Sequence, residues 1–74
     1  MSPSFRDMRY FQAIVEHRTL GAAGDAMGIS QPALSKCLKR LERAYGGALV
    51  EWREGSANLT DIGKVVLQIG RAHV

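Results

Sequence analysis

Residues 29–45, ISQPALSKCLKRLERAY, hold the polar groups whose types and spacing could do chemistry: Ser30, Gln31, Pro32, Ser35, Lys36, Lys39, Arg40 and Arg43. Hydroxyls and a carboxamide both donate and accept hydrogen bonds, whereas ammonium and guanidinium groups only donate and carry charge. That inventory suits recognition of an anionic, hydrogen-bonding partner. It does not suit bond breaking. Between Gln31 and Tyr45 four cations stand against the single acid Glu42, while the rest of the chain holds six of each sign. One segment therefore carries the whole net charge of +3. A basic stripe on a neutral body is the electrostatic footprint of a polyanion-binding element, although a merely solvated face would give the same count. Where the side chains point has to decide.

The periodicity places them on a helix. At 100° per residue, Leu34, Leu38, Leu41 and Tyr45 form a core stripe, and Pro32, Ser35, Lys36, Lys39 and Arg43 gather on the opposite side. Arg40 lies to one side of that face, open to either a phosphate or a structural role. Ser30 reads as the N-cap, and Pro32 is tolerated in a first turn whose N–H groups lack intrahelical partners. Cys37 and Ala44 flank the apolar stripe, where Cys37 reads as small filler. Glu42 lies between the two stripes and is expected to make a structural ion pair.

Upstream, Phe5, Met8, Phe11 and Val15 share one face of a helix over Phe5–His17, with Ser4 as its cap and Asp7 three residues on. Arg6 and Arg9 read as surface charges. Thr19 caps a short second helix, Leu20–Met27, whose Gly21 and Gly24 suit a close helix crossing, and Gly28 ends it as a left-handed C-cap. Downstream, ALVEWR and SANLT flank Glu54-Gly55 as a β-hairpin, with Trp52 packing beneath it. Thr60 caps a last helix whose Ile62, Val65, Val66 and Ile69 form an apolar stripe expected to pair with a second copy. The fold class is mainly α, a winged helix-turn-helix: three core helices, a two-stranded wing, and a C-terminal linker helix. Residues 1–59 form the binding domain and residues 60–74 begin the linker.

In such a fold the start of the third helix reaches the floor of the DNA major groove. Gln31 can pair with adenine N6 and N7, Lys36 can donate to guanine O6 or N7, and Pro32 can pack on a thymine methyl. Lys39 and Arg43, further along, suit phosphates. Plain capping is the competing account of Ser-Gln-Pro. The basic face tips the balance toward double-stranded DNA.

The residues AAGDAMGISQPALSKCLKRLERAYG followed by LVEW and NLTDIG also resemble the N-terminal DNA-binding domain of LysR-type transcriptional regulators, without gaps from about Phe5 to Gly63. The most specific portion is Ser30-Gln31-Pro32-Ala33-Leu34-Ser35 with Leu41-Glu42, then Leu59-Thr60 and Gly63. The resemblance implies that Gln31, Pro32 and Lys36 approach base edges and that Ser30 and Ser35 meet phosphate. It also implies that the helix from Thr60 pairs two subunits, giving a homodimer or a higher oligomer in a full-length cytoplasmic protein. A co-inducer would bind only through a C-terminal domain not present here, so the chain is expected to be a fragment or a naturally short variant.

Three positions depart from the family pattern. Gly21 and Ala22 replace a hydroxyl and a basic residue, Trp52 replaces a wing arginine with Arg53 one place later, and Gly55 replaces a second basic residue at the wing tip. Because strand side chains alternate faces, Arg53 is expected to make a weak wing contact. A winged-helix protein–protein module is the alternative, but its third helix would be less basic and more apolar outside. Catalysis has no support: the acids are dispersed, and Cys37, His17 and His73 form neither a nucleophile–base set nor a metal site. No cofactor is expected. No apolar run is long enough for a membrane span, and the N-terminus lacks a signal-peptide pattern.

Overall fold

The computed structural model describes residues 4–72. The elements are α1 (Phe5–His17), α2 (Leu20–Met27), α3 (Gln31–Tyr45), β1 (Val50–Arg53), β2 (Ser56–Leu59) and α4 (Asp61–Ala72). The first three residues, His73 and Val74 lie outside the described range, and with them the expectations about the N-terminal segment and the histidine near the end.

Four hydroxyl residues start the four helices. Ser4, Thr19 and Ser30 each accept from the backbone N–H three residues on, at 3.0, 3.0 and 3.3 Å. Thr60 accepts from Gly63 N–H at 3.0 Å and donates its hydroxyl proton to the Ala48 carbonyl at 2.6 Å, tying α4 to the loop before β1. Each such cap satisfies an N–H that the helix itself cannot. Arg18, Gly28 and Gly46 close α1, α2 and α3 in the left-handed region.

Around Phe11, Ile14, Ala23, Leu34, Leu41 and Leu49, all fully buried, α1 packs against α2 and α3 on one side and α4 on another. The buried face of α1 is rotated from the expected one. Met8, Phe11, Ala13 and Ile14 are inside, Val15 is half-buried, and Phe5 is 63% exposed. Two neighbours on different sides demand a wider buried arc than a single apolar stripe, and Phe5, the first helical residue, stays outside that arc. In α2, Gly24 lies against the turn into α3, with the Gln31 backbone N 3.9 Å from where its Cβ would be. A Cβ there would stand 2.7 Å from the Ile29 carbonyl oxygen, so its bareness lets the turn into α3 fold tightly over α2.

The wing is a two-stranded antiparallel sheet pairing Val50 with Leu59 and Arg53 with Ser56. Its two-residue turn, Glu54-Gly55, has both φ values positive (52° and 75°), the geometry that matches strand twist in a tight hairpin. Ala57 N–H donates to the Arg18 carbonyl at 2.7 Å, which fastens β2 to the α1–α2 link. Among the described residues Glu42 makes no ion pair. Its carboxylate accepts the Leu49 N–H at 2.9 Å, so the end of α3 holds the entry to β1. Trp52 is not buried beneath the wing: it shares a face with buried Val50 and pairs with buried Ala57, yet is 45% exposed because it lies further toward the open end of the hairpin.

The expected apolar stripe on α4 splits in two. Val66 is buried with Leu67 in the monomer core and leaves the outer stripe, whereas Ile62, Val65 and Ile69 remain exposed. The reason is the inner face of α4, where Gly63 and Gly70 let the helix sit close. A Cβ at Gly63 would collide with the Leu49 carbonyl, and one at Gly70 would stand 2.7 Å from Met8 Cγ.

Candidate nucleic-acid interface

The second helix of the helix-turn-helix, α3, is presented by three constraints from its neighbours. Leu34, Leu38 and Leu41 sink into the core, the Ser30 cap fixes its start, and Glu42 fixes its end to the wing. What remains outward is the polar face. Gln31, Pro32, Lys36, Lys39 and Arg43 are exposed, Ser35 is half-buried, and Ser30, exposed, keeps its Oγ in the cap bond. Among the described residues the ion pairs are Arg40–Asp7 and Arg53–Glu51, so neither claims Lys36, Lys39 or Arg43. The face thus offers unspent positive charge behind an amide and a proline at the helix start. Such a surface can neutralise a row of phosphates while its first turn meets base edges.

Arg40 is differently employed. Its Nε donates to Asp7 Oδ2 at 3.1 Å and its Nη2 to Asp7 Oδ1 at 2.9 Å, a two-pronged bond from α3 to α1. Asp7 is buried, so this is a structural clamp that also neutralises a carboxylate in the core wall. The Arg40 hydrogen bonds hold the Asp7 carboxyl below the usual carboxylate range, with burial opposing them, and Asp7 in turn raises Arg40 further. Cys37 completes the cluster by accepting from Arg40 Nη2 at 3.0 Å. Burial, with the neighbouring Asp7 carboxylate, pushes its thiol up, so it stays protonated and inert.

Arg53 is the cation of the hairpin, and it is half-spent. Its Nη2 donates to Glu51 Oε2 at 2.8 Å, two residues back on the same strand face. Sequence reasoning missed the company it keeps. Arg18 and Lys64 line one cleft with Arg53, Glu51 and Asn58, beside β2. No local pattern marks Arg18 for this. It comes there because its carbonyl binds Ala57, 39 positions away in the chain. Among the described residues no group of three His, Cys, Asp or Glu side chains could hold a metal ion, and no helix is long and apolar enough to cross a membrane.

Comparison with known proteins fits this geometry. Residues 5–64 match the family model described as bacterial regulatory helix-turn-helix protein, lysR family. The chain is 36% identical over 66 residues to the SDS degradation transcriptional activation protein of Pseudomonas sp. (strain ATCC 19151), covering 89% of this chain and 22% of that protein. It is 39% identical over 66 residues to the HTH-type transcriptional regulator TfdT of Cupriavidus pinatubonensis, covering 89% and 29%. The chain thus spans less than a third of the length of either relative. Among solved structures, the CbnR DNA-binding domain in complex with DNA superposes with a TM-score of 0.87 at 30% identity, over 95% of this chain and 80% of that one. The BenM DNA-binding domain on benA site 1 DNA gives 0.86 at 31%, over 95% and 81%. The chain belongs to the lysR family of bacterial regulatory helix-turn-helix proteins and has the winged-helix fold of their DNA-binding domains.

Proposed function

We propose that this domain reads duplex DNA as part of a cytoplasmic transcription regulator, with α3 in the major groove and the wing beside the adjacent minor groove. The single observation that carries the reading is the outer face of α3. Among the described residues it keeps Lys36, Lys39 and Arg43 free of internal ion pairs while exposing Gln31 and Pro32 at the helix start. Gln31, Pro32 and Lys36 address bases. Ser30, Ser35, Lys39 and Arg43 address phosphates. Arg40 contributes by holding α3 on α1, and Arg53 adds a minor contact at the wing. The similar CbnR and BenM DNA-binding domains, each solved on DNA, support DNA binding by this fold.

Residues from 60 onward act as the linker through which two copies pair. Ile62, Val65 and Ile69 supply the contact, and an imperfect palindrome is the matching operator. In a full-length protein, a co-inducer would act through a further domain. The test is a titration of random-sequence duplex and of a site selected from a random pool, each over a range of salt. Binding that weakens steeply with salt, together with selection of a dyad, supports the reading. No binding at low salt would favour a protein-docking role for the same fold.

A further inference from the structure

We propose that Gly21 is a specificity-determining position: it gives the Gln31 carboxamide a seat on α2, and that seat sets which base pair the amide addresses. The inference rests on the base-reading role of Gln31 proposed above. The seat is visible in the packing. A Cβ at Gly21 would stand 3.2 Å from Gln31 Nε2 and 3.9 Å from its Cδ, so the amide lies over the bare backbone of the first turn of α2. Gly21 is itself half-buried, while Gln31 is exposed. Leu20, Pro32 and Ser35 line, with Gln31, an open depression at this corner. The first turns of α2 and α3 therefore build one surface: an amide to pair with a purine edge and an apolar wall, Leu20 with Pro32, to meet a thymine methyl.

Placement matters because a carboxamide reads a base through two hydrogen bonds at once, each of which weakens steeply with distance and angle. Any side chain at position 21 competes for the seat. An alanine methyl would force the amide to shift by a few tenths of an ångström, and a valine would evict it. The flexible end of Gln31 can yield, so the alanine methyl meets no backbone wall there. Alanine also favours the helical conformation over glycine, which separates a change in reading from a loss of fold.

The experiment measures binding of the wild-type domain, Gly21→Ala, Gly21→Val, Gln31→Ala and the Gly21→Val/Gln31→Ala double variant. Each is titrated against a panel of single base-pair substitutions in a selected site, with thermal unfolding of each protein alongside. Gly21→Val should alter the preference at the Gln31 base pair by about fivefold or more. Gly21→Ala should alter it by less, with other positions unchanged. In the Gln31→Ala background the Gly21→Val change should have no further effect at that base pair, the signature of one residue acting through another. If Gly21→Val changes the preference equally with and without Gln31, the proposal is overturned. Should Gly21→Val unfold the domain, Gly21→Ala decides, and a preference profile identical to wild type overturns the proposal. A selective wild type that loses one base pair in Gln31→Ala, with both Gly21 variants unaltered, leaves the DNA reading standing and removes only this inference. A wild type without any sequence preference takes down both.

Discussion

Replacing Asp7 with Asn tests the division of labour among the cations of α3. Asp7 is 5% exposed and receives two charge-assisted bonds, at 3.1 and 2.9 Å, from Arg40. A hydrogen bond to a charged group contributes about 1.5–3 kcal/mol, and an exposed ion pair about 0.2–1. Half of the Arg40 side chain is in solvent, so the loss at Asp7 falls between these limits, about 1–2 kcal/mol. In a domain of this size each kcal/mol moves Tm by about 4–8 °C, so Asp7→Asn should melt about 5–15 °C lower at neutral pH. The pH dependence has a definite sign. The folded carboxyl lies below its unfolded value, so the clamp stabilises fully above about pH 5 and fades as pH falls through the depressed folded pKa. Asn has nothing to titrate, so the gap between wild type and variant should close on acidification. Circular dichroism melts from neutral to acidic pH measure it. A variant within about 2 °C of wild type at neutral pH, or a gap that persists in acid, would refute the clamp. DNA titration adds a second arm. Lys39→Ala should reduce the slope of log K against log salt by about one unit with little effect on Tm, whereas Arg40→Ala should lower Tm and leave the slope alone. A unit lost from the slope by Arg40→Ala would mean that Arg40 deserts Asp7 for a phosphate.

Three further outcomes follow from the packing. Gly24→Ala should destabilise by about 1–3 kcal/mol because its methyl meets the Ile29 carbonyl, while Gly21→Ala should be neutral or stabilise by up to about 1 kcal/mol; chemical denaturation of the pair reads the contrast. Val66→Ala should cost about 2 kcal/mol of fold stability. Val65→Ala should stay within about 0.5 and instead weaken self-association, seen by sedimentation at rising concentration; equal effects at the two sites would contradict the split of α4 into inner and outer faces. Arg53→Ala should reduce affinity less than Lys36→Ala on the same site at fixed salt, and mainly where the flanks are A·T-rich; a costlier loss at Arg53 would show that it leaves Glu51 for the minor groove.

Much of this fold is legible because its signals are local. Ser4, Thr19, Ser30 and Thr60 cap the helices that their spacing announces, and each cap bond spans three residues. Gly28 and the Glu54-Gly55 turn announce themselves through backbone conformation, and the leucine stripe of α3 through its period. The misread residues share the opposite property. Phe5, Trp52 and Val66 have side chains that suit either a core or an interface, and which one they meet depends on elements far along the chain. Val66 is inside because Gly63 and Gly70 bring α4 onto the wing entry and α1. Trp52 is outside because the body covers only one end of β1. Glu42 shows the same limit for a polar group, since its partner is a backbone N–H delivered by the turn into β1 rather than a cation.

The basic helix carries this distinction to function. By composition Lys36, Lys39, Arg40 and Arg43 are one stripe, and charge counting alone treats them alike. The structure separates them by what lies across from each. Arg40 faces a buried carboxylate contributed by α1, and that pairing neutralises Asp7 and, beside the buried leucine stripe, helps hold the roll of α3 about its axis. With α3 so rolled, Lys36, Lys39 and Arg43 are left outward on the side opposite the leucine stripe. One cation is thus committed within the fold, while the other three are left outside the ion pairs of the described residues. Sequence spacing hints at this, since Arg40 lies off the centre of the basic face. It cannot supply the partner, because Asp7 stands 33 residues earlier and reads there only as a first-turn acid beside its cap.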